Sequence, residues 1–92
     1  MVVTIMIPTA LRAYSDNNGS VEVEGGTVAE ALGALTTRHG GLANHLRTAE
    51  GKLRSFVNVY LNDEDIRYLQ REATPVADGD TLTIVPSIAG GR

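Results

Sequence analysis

One segment of this chain constrains the fold more than any other, because it carries a complete set of helix punctuation. Gly25-Gly26 breaks what precedes it, and Thr27-Val28-Ala29-Glu30 follows. Thr three residues ahead of Glu is a capping box: the hydroxyl accepts from a first-turn N–H and the carboxylate reaches back to another. Val28, Ala31, Leu32 and Leu35 then recur at the spacing of one helical face. Arg38 and His39 fall in the last turn, where positive charge suits the helix dipole. Gly40 stands where a left-handed glycine ends many helices.

The remaining periodicity is that of strands. Val2 to Ile7 is rich in β-branched residues, and Pro8 ends it. Residues 9–19 form a loop closing on Asp16-Asn17-Asn18-Gly19, a strong turn cluster. Ser20 to Glu24 alternates, with Val21 and Val23 inward and Glu22 and Glu24 toward water. It forms a hairpin with the first strand. After the helix, Leu42 to Arg47 adds a short helical turn. Ser55 to Leu61 is a third strand, with Val57, Val59 and Leu61 on one face and Phe56, Asn58 and Tyr60 on the other. Asn62-Asp63-Glu64-Asp65 is a turn, and Ile66 to Tyr68 a short fourth strand. Residues 69–80 are irregular and end in Ala77-Asp78-Gly79-Asp80, a turn with glycine where φ is positive. Thr81 to Val85 is the last strand, with Leu82 and Ile84 inward. One helix covers only one face of a sheet, so the fold class is α+β, two layers. If the first and last strands are neighbours, they run parallel.

Composition removes whole classes of function. The 92 residues allow one domain, which buries roughly 60–65% of its unfolded surface. The absence of cysteine excludes disulfides, thiolate metal sites and a cysteine nucleophile. Eight basic residues against eleven acidic ones argue against nucleic acid or an anionic membrane as the main partner. No secretory signal or membrane span is visible, which implies a cytoplasmic protein. Asn18-Gly19-Ser20 then reads as a turn rather than a glycosylation site.

No side-chain constellation suggests catalysis or a resident metal. Neither His39 nor His45 sits in a nucleophile motif: the first reads as a helix-terminus residue and the second as surface. Gly51-Lys52 is followed by Leu53, not Ser or Thr, so it is no phosphate loop. Asp63, Glu64 and Asp65 lack the alternating ligands of a calcium loop. They are a solvated turn or an acidic patch that steers a basic partner. Asp78 and Asp80 are turn formers. The carboxyl end differs in kind, because a β-rich strand runs through Pro86 into Ser87-Ile88-Ala89-Gly90-Gly91-Arg92. Glycine has no Cβ and threads narrow channels. Six extended residues reach ~20 Å, enough to enter another protein's active site.

Together, the element order, the capped helix after Gly-Gly, Asp78-Gly79-Asp80, the strand ending at Pro86 and Gly90-Gly91 resemble the ubiquitin-like β-grasp sulfur carriers. This is the MoaD/ThiS family of the molybdopterin-synthase small subunit and the thiamine sulfur carrier. Ile7-Pro8-Thr9, Leu11-Arg12, Gly51-Lys52-Leu53, Phe56-Val57-Asn58 and Asn62-Asp63-Glu64-Asp65 particularly resemble the actinobacterial carriers of cysteine biosynthesis. The likeness spans essentially the whole chain. It implies a mixed sheet of about five strands with one main helix on one face. It implies a domain over 1–86 and a flexible tail over 87–92.

The family's mechanism implies that the protein is not an enzyme but a co-substrate. An E1-like adenylyltransferase uses ATP and Mg²⁺ to adenylate the Gly91 carboxylate, and sulfur displaces AMP to leave a thiocarboxylate. A sulfur-accepting synthase then draws in the tail. Ile88, Ala89 and Gly90 thread it, and Phe56, Tyr60 and Pro86 dock the partner. No cofactor is bound by the carrier itself. The family pattern ends at the second glycine, whereas here Arg92 follows. Three readings stay open: a native cap that a metalloprotease removes, a residue foreign to the natural chain, or a protein that is no carrier in this form. Two other functions share the same residues: a ubiquitin-like modifier joined to lysines through Gly91, and a β-grasp interaction module.

Overall fold

The structure, a computed structural model, describes residues 1–86, and the expected tail lies outside them. β1 (Val2–Met6) and β2 (Ser20–Glu24) pair antiparallel, from Val2 opposite Glu24 to Met6 opposite Ser20. β5 (Thr81–Pro86) lies parallel to β1 and antiparallel to β3 (Val57–Leu61), and β4 (Glu64–Asp65) adds to the outer edge of β3. The order is therefore β2-β1-β5-β3-β4. Parallel neighbours require a crossover. The chain between β2 and β5 supplies it and includes α1 (Val28–Arg38).

Alternation puts Val3, Ile5, Val21, Val23, Val59, Leu82 and Ile84 on one face, all buried. They meet Val28, Ala31, Leu32 and Leu35 of α1 in a single core. The opposite face is exposed at Val2, Met6, Glu22, Glu24 and Val85. The expected α+β two-layer β-grasp architecture is what forms.

The capping box closes with a shift of one residue. Thr27 Oγ1 accepts from Glu30 N at 3.2 Å, as expected. The Glu30 carboxylate accepts from Gly26 N at 2.7 Å rather than from Thr27. Gly25 allows this, because a Cβ there would stand 2.8 Å from Ala31 N. Gly40 behaves otherwise than expected. It does not take a positive φ. His39 caps α1, and the chain continues through a 3₁₀ turn (Gly40–Leu42) into α2 (Ala43–Leu46). Burial of Leu42 and Leu46 accounts for the continuation, since both are essentially inaccessible.

Other boundaries also move. β1 stops at Met6, one residue before Ile7. The 9–19 loop contains a 3₁₀ helix (Thr9–Ser15) that turns Leu11 and Ser15 inward. β3 begins at Val57, not Ser55, because Val57 N bonds Arg54 O and leaves Ser55-Phe56 in a turn. The expected strand at Ile66–Tyr68 is a 3₁₀ turn, and the fourth strand is Glu64–Asp65 just before it. Asn62 takes φ 54°, which reverses the chain within two residues of β3. Asp65 then captures Arg67 N at 2.9 Å and starts the turn.

Two glycines should respond oppositely to alanine. Nothing lies within 4 Å of a Cβ at Gly33, in the middle of α1, so Gly33→Ala should stabilise by about 0.5–1 kcal/mol. Gly25→Ala should destabilise, because its Cβ meets backbone. Urea midpoints of both variants check this.

Candidate functional site

The site is organised by the turn that launches β5. Gly79 adopts φ 89°, as its Asp-Gly-Asp setting predicts. Gly79 N donates to Val2 O at 2.8 Å, and Thr4 N donates to Asp80 O at 3.0 Å. The Asp78 carboxylate accepts from Val2 N at 2.8 Å, and that of Asp80 from Ala77 N at 2.8 Å. On the other side, Asn62 N donates to Thr81 O at 2.7 Å and its side-chain carbonyl accepts from Thr81 N at 3.1 Å. The start of β5 is thus tied to both neighbours. The strand then runs through the middle of the sheet to Pro86, opposite Val57.

The exposed sheet face carries an apolar strip beside this strand. Met6 pairs with Thr83, Thr83 with Tyr60, and Val85 with Asn58. Tyr60, Asn62, Asp63, Thr83 and Val85 line a shallow depression of about 440 Å³. Phe56 is 39% exposed in the turn before β3. Of the expected docking residues, Tyr60 is therefore on the strip, with Phe56 and Pro86 at the end of the sheet where Val57 and Pro86 pair. Met6 and Val85 were not singled out by the sequence, although inward Ile5 and Ile84 imply their outward facing. Tyr68 was also missed, because it was assigned to a strand. It is 84% exposed and flanks the acidic turn with Tyr60. Ile88, Ala89, Gly90, Gly91 and Arg92 lie outside the described residues.

The acidic turn divides into two parts. Asp63 and Glu64 are exposed. Asp65 is buried against Arg67, with Arg67 Nη2 at 2.7 Å from one oxygen and Nε within reach of both. The Arg67 side-chain hydrogen bond, and next its backbone N–H, hold the Asp65 carboxyl below its ordinary 3.8. The solvated-turn reading thus fails for Asp65, and only Asp63 and Glu64 remain as a patch for a partner. His39 Nδ1 lies 3.9 Å from Asp16, and the His45 ring packs 4.2 Å from that of Tyr14. Among the described residues, no group of three His, Cys, Asp or Glu could hold a metal ion. No described helix is long and apolar enough to cross a membrane.

A family model described as the ThiS family matches residues 5–91. The chain belongs to the ThiS family. The match runs through Gly91 and ends before Arg92. This ThiS-family chain is 42% identical over 93 residues to the "Sulfur carrier protein CysO" of Mycobacterium tuberculosis, covering 99% of this chain and 100% of that one. Its fold superposes with TM-score 0.88 on a chain of the Amycolatopsis orientalis BexX/CysO complex, at 47% identity, covering 97% and 99% of the two chains. It is also 35% identical over 65 residues to "Small archaeal modifier protein 3" of Haloferax volcanii, covering 71% and 70%. These relatives are named as carriers and modifiers, not as catalysts.

The Asp65–Arg67 pair should show in acid. A carboxyl lowered in the folded state adds stability that is complete above the unfolded pKa and is lost as pH falls through the lower folded value. The urea midpoint of Asp65→Asn should therefore fall less than that of the parent between about pH 5 and pH 2.

Proposed function

We propose that this chain is a sulfur carrier whose working group is the main-chain carboxylate of Gly91. The observation that carries the reading is the 42% identity, along essentially the full length of both chains, to a protein named sulfur carrier. The ThiS-family match through Gly91 supports the choice of atom.

A carboxylate is a poor electrophile. Attack of the Gly91 carboxylate on the α-phosphate of ATP, with Mg²⁺, expels pyrophosphate and gives an acyl-adenylate on an E1-like partner. Hydrosulfide sulfur then adds to the carbonyl and AMP leaves, so a thiocarboxylate replaces the carboxylate. Its sulfur attacks an acceptor in a synthase and displaces the acceptor's leaving group, forming a thioester; water then cleaves the acyl C–S bond, which leaves the sulfur on the acceptor and restores the Gly91 carboxylate. The carrier supplies no acid or base. It supplies a rigid strand that ends at Pro86, with Ile88, Ala89 and Gly90 as the threading segment. Phe56, Tyr60 and Pro86 form the docking edge, where exposed aromatics are the usual anchors. A cysteine-type or sulfur-containing natural-product pathway is favoured, on the likeness to CysO and to the carrier in the BexX/CysO complex. The setting is cytoplasmic. Arg92 is removed before activation, by a metalloprotease where it is native.

A second reading, conjugation to protein lysines through Gly91, is favoured by the likeness to the archaeal modifier. Denaturing immunoblots of the host then show high-mass adducts, whereas the carrier reading expects none.

Protein ending at Gly91, given adenylyltransferase, ATP and sulfide, should gain the mass of an oxygen-to-sulfur exchange, while protein ending at Arg92 should not. Equal conversion of both would refute the processing step, and conversion of neither would refute the carrier reading. Phe56→Ala and Tyr60→Ala should each weaken synthase binding by about 1 kcal/mol or more, measured calorimetrically. Both side chains reach solvent, so the fold should persist.

A further inference from the structure

Beyond the strip that holds Tyr60, the other side of β3 carries a groove of about 290 Å³. Its floor is apolar, formed where Leu53, Val57 and Ile66 meet the core. Its rim is cationic, with Lys52, Arg54, Arg67 and Arg71 against the single carboxylate of Glu72. Four of the chain's eight basic residues thus share one lining with one of its eleven acidic residues. In a chain of net charge −3, that is segregation of charge, not average surface.

Part of this charge is already committed. Glu72 bonds Arg47 at 2.7 Å, and Arg67 is held by Asp65 at 2.7 Å. Lys52, Arg54 and Arg71 have no ion-pair partner among the described residues. Arg71 is also held at φ 54°, a conformation that costs a non-glycine residue of order 1 kcal/mol. The loop around it is fixed, since Thr74 N bonds Arg71 O at 3.1 Å and the buried Thr74 hydroxyl accepts from Gln70 N at 2.9 Å. The backbone that carries the Arg71 side chain is therefore held.

We infer that this groove docks an acidic peptide segment of a protein partner, with one apolar side chain on the Leu53–Ile66 floor and flanking carboxylates on Lys52, Arg54 and Arg71. Charge complementarity selects the sign of the partner. The lining holds no aromatic residue on which bases could stack, which disfavours single-stranded nucleic acid. Val57 of the floor pairs with Pro86, so a protein bound at the end of β5 adjoins the groove. The site is distinct from the Tyr60 strip and needs no sulfur chemistry.

The test uses the full ¹⁵N-labelled chain and an end-blocked peptide, Asp-Glu-Leu-Glu-Asp. Amide shifts are expected at residues 52–59 and 66–72, with binding that weakens as salt is raised. Lys52→Glu and Arg71→Gly should each weaken binding by about threefold or more. Glycine suits the positive φ at 71, so Arg71→Gly removes the charge without loss of fold. Any of four results would overturn the inference: no shifts at millimolar peptide, shifts on the Tyr60 face instead, equal binding of an Asn-Gln-Leu-Gln-Asn peptide, or tighter binding of a single-stranded oligonucleotide at the same residues.

Discussion

The structure depends on β5 being held between β1 and β3, with β1 along Thr81–Thr83 and with β3 along Leu82–Pro86. A terminal strand is ordinarily the first element to fray. This one lies between a parallel and an antiparallel neighbour, and it carries Leu82 and Ile84 into the centre of the core. Its start is fixed by Gly79 and the two aspartates against β1, and by Asn62 against β3. Separating β5 therefore requires opening both ladders and the core together. Beyond Thr83 the strand pairs with β3 alone, to Pro86 opposite Val57.

The one-sided helix layer sets the division of surfaces. α1 and α2 take the core face, so the opposite face keeps Met6, Tyr60, Thr83 and Val85 for contact. The two short turns after β3 do more than connect. Asp65 and Arg67 neutralise each other at the sheet edge, which leaves Asp63 and Glu64 on one side of β3 and the arginine-lined groove on the other. One edge of one small domain thus offers an acidic–aromatic contact and a basic–apolar one.

Most of this fold was legible because its signals are local. Alternation gives the inward residues of β1, β2, β3 and β5, and Thr27 with Glu30 gives the start of α1. The misses have two causes, tertiary packing in one case and a local side-chain cap in the other. Gly40 looked like a helix stop, yet burial of Leu42 and Leu46 carries the chain on into α2. Ile66–Tyr68 has strand-like composition, yet the Asp65 carboxylate on Arg67 N turns it into 3₁₀ helix. Of the candidate site, Gly91 is named from its motif and lies outside the described residues, while the place of Tyr60 beside Thr83 on the sheet follows from alternation. Tyr68 was lost with the misplaced strand. The groove was not legible, because Lys52 and Arg71 are brought to one lining by the fold and share no sequence pattern.

The absence of cysteine bears on the proposed chemistry directly. A protein can hold transferable sulfur as a persulfide on a side-chain thiol, or as a thiocarboxylate on a main-chain end. The first is closed to this chain. His39 lies 3.9 Å from Asp16, His45 packs on Tyr14, and Asp65 is paired with Arg67. On the proposed reading the working atom is the main-chain carboxylate of Gly91, which follows in sequence a strand paired with β1 at its start and with β3 to Pro86. On that reading Arg92 is more than an extra residue. It converts the Gly91 carboxylate into a peptide carbonyl, which cannot attack ATP as a carboxylate does.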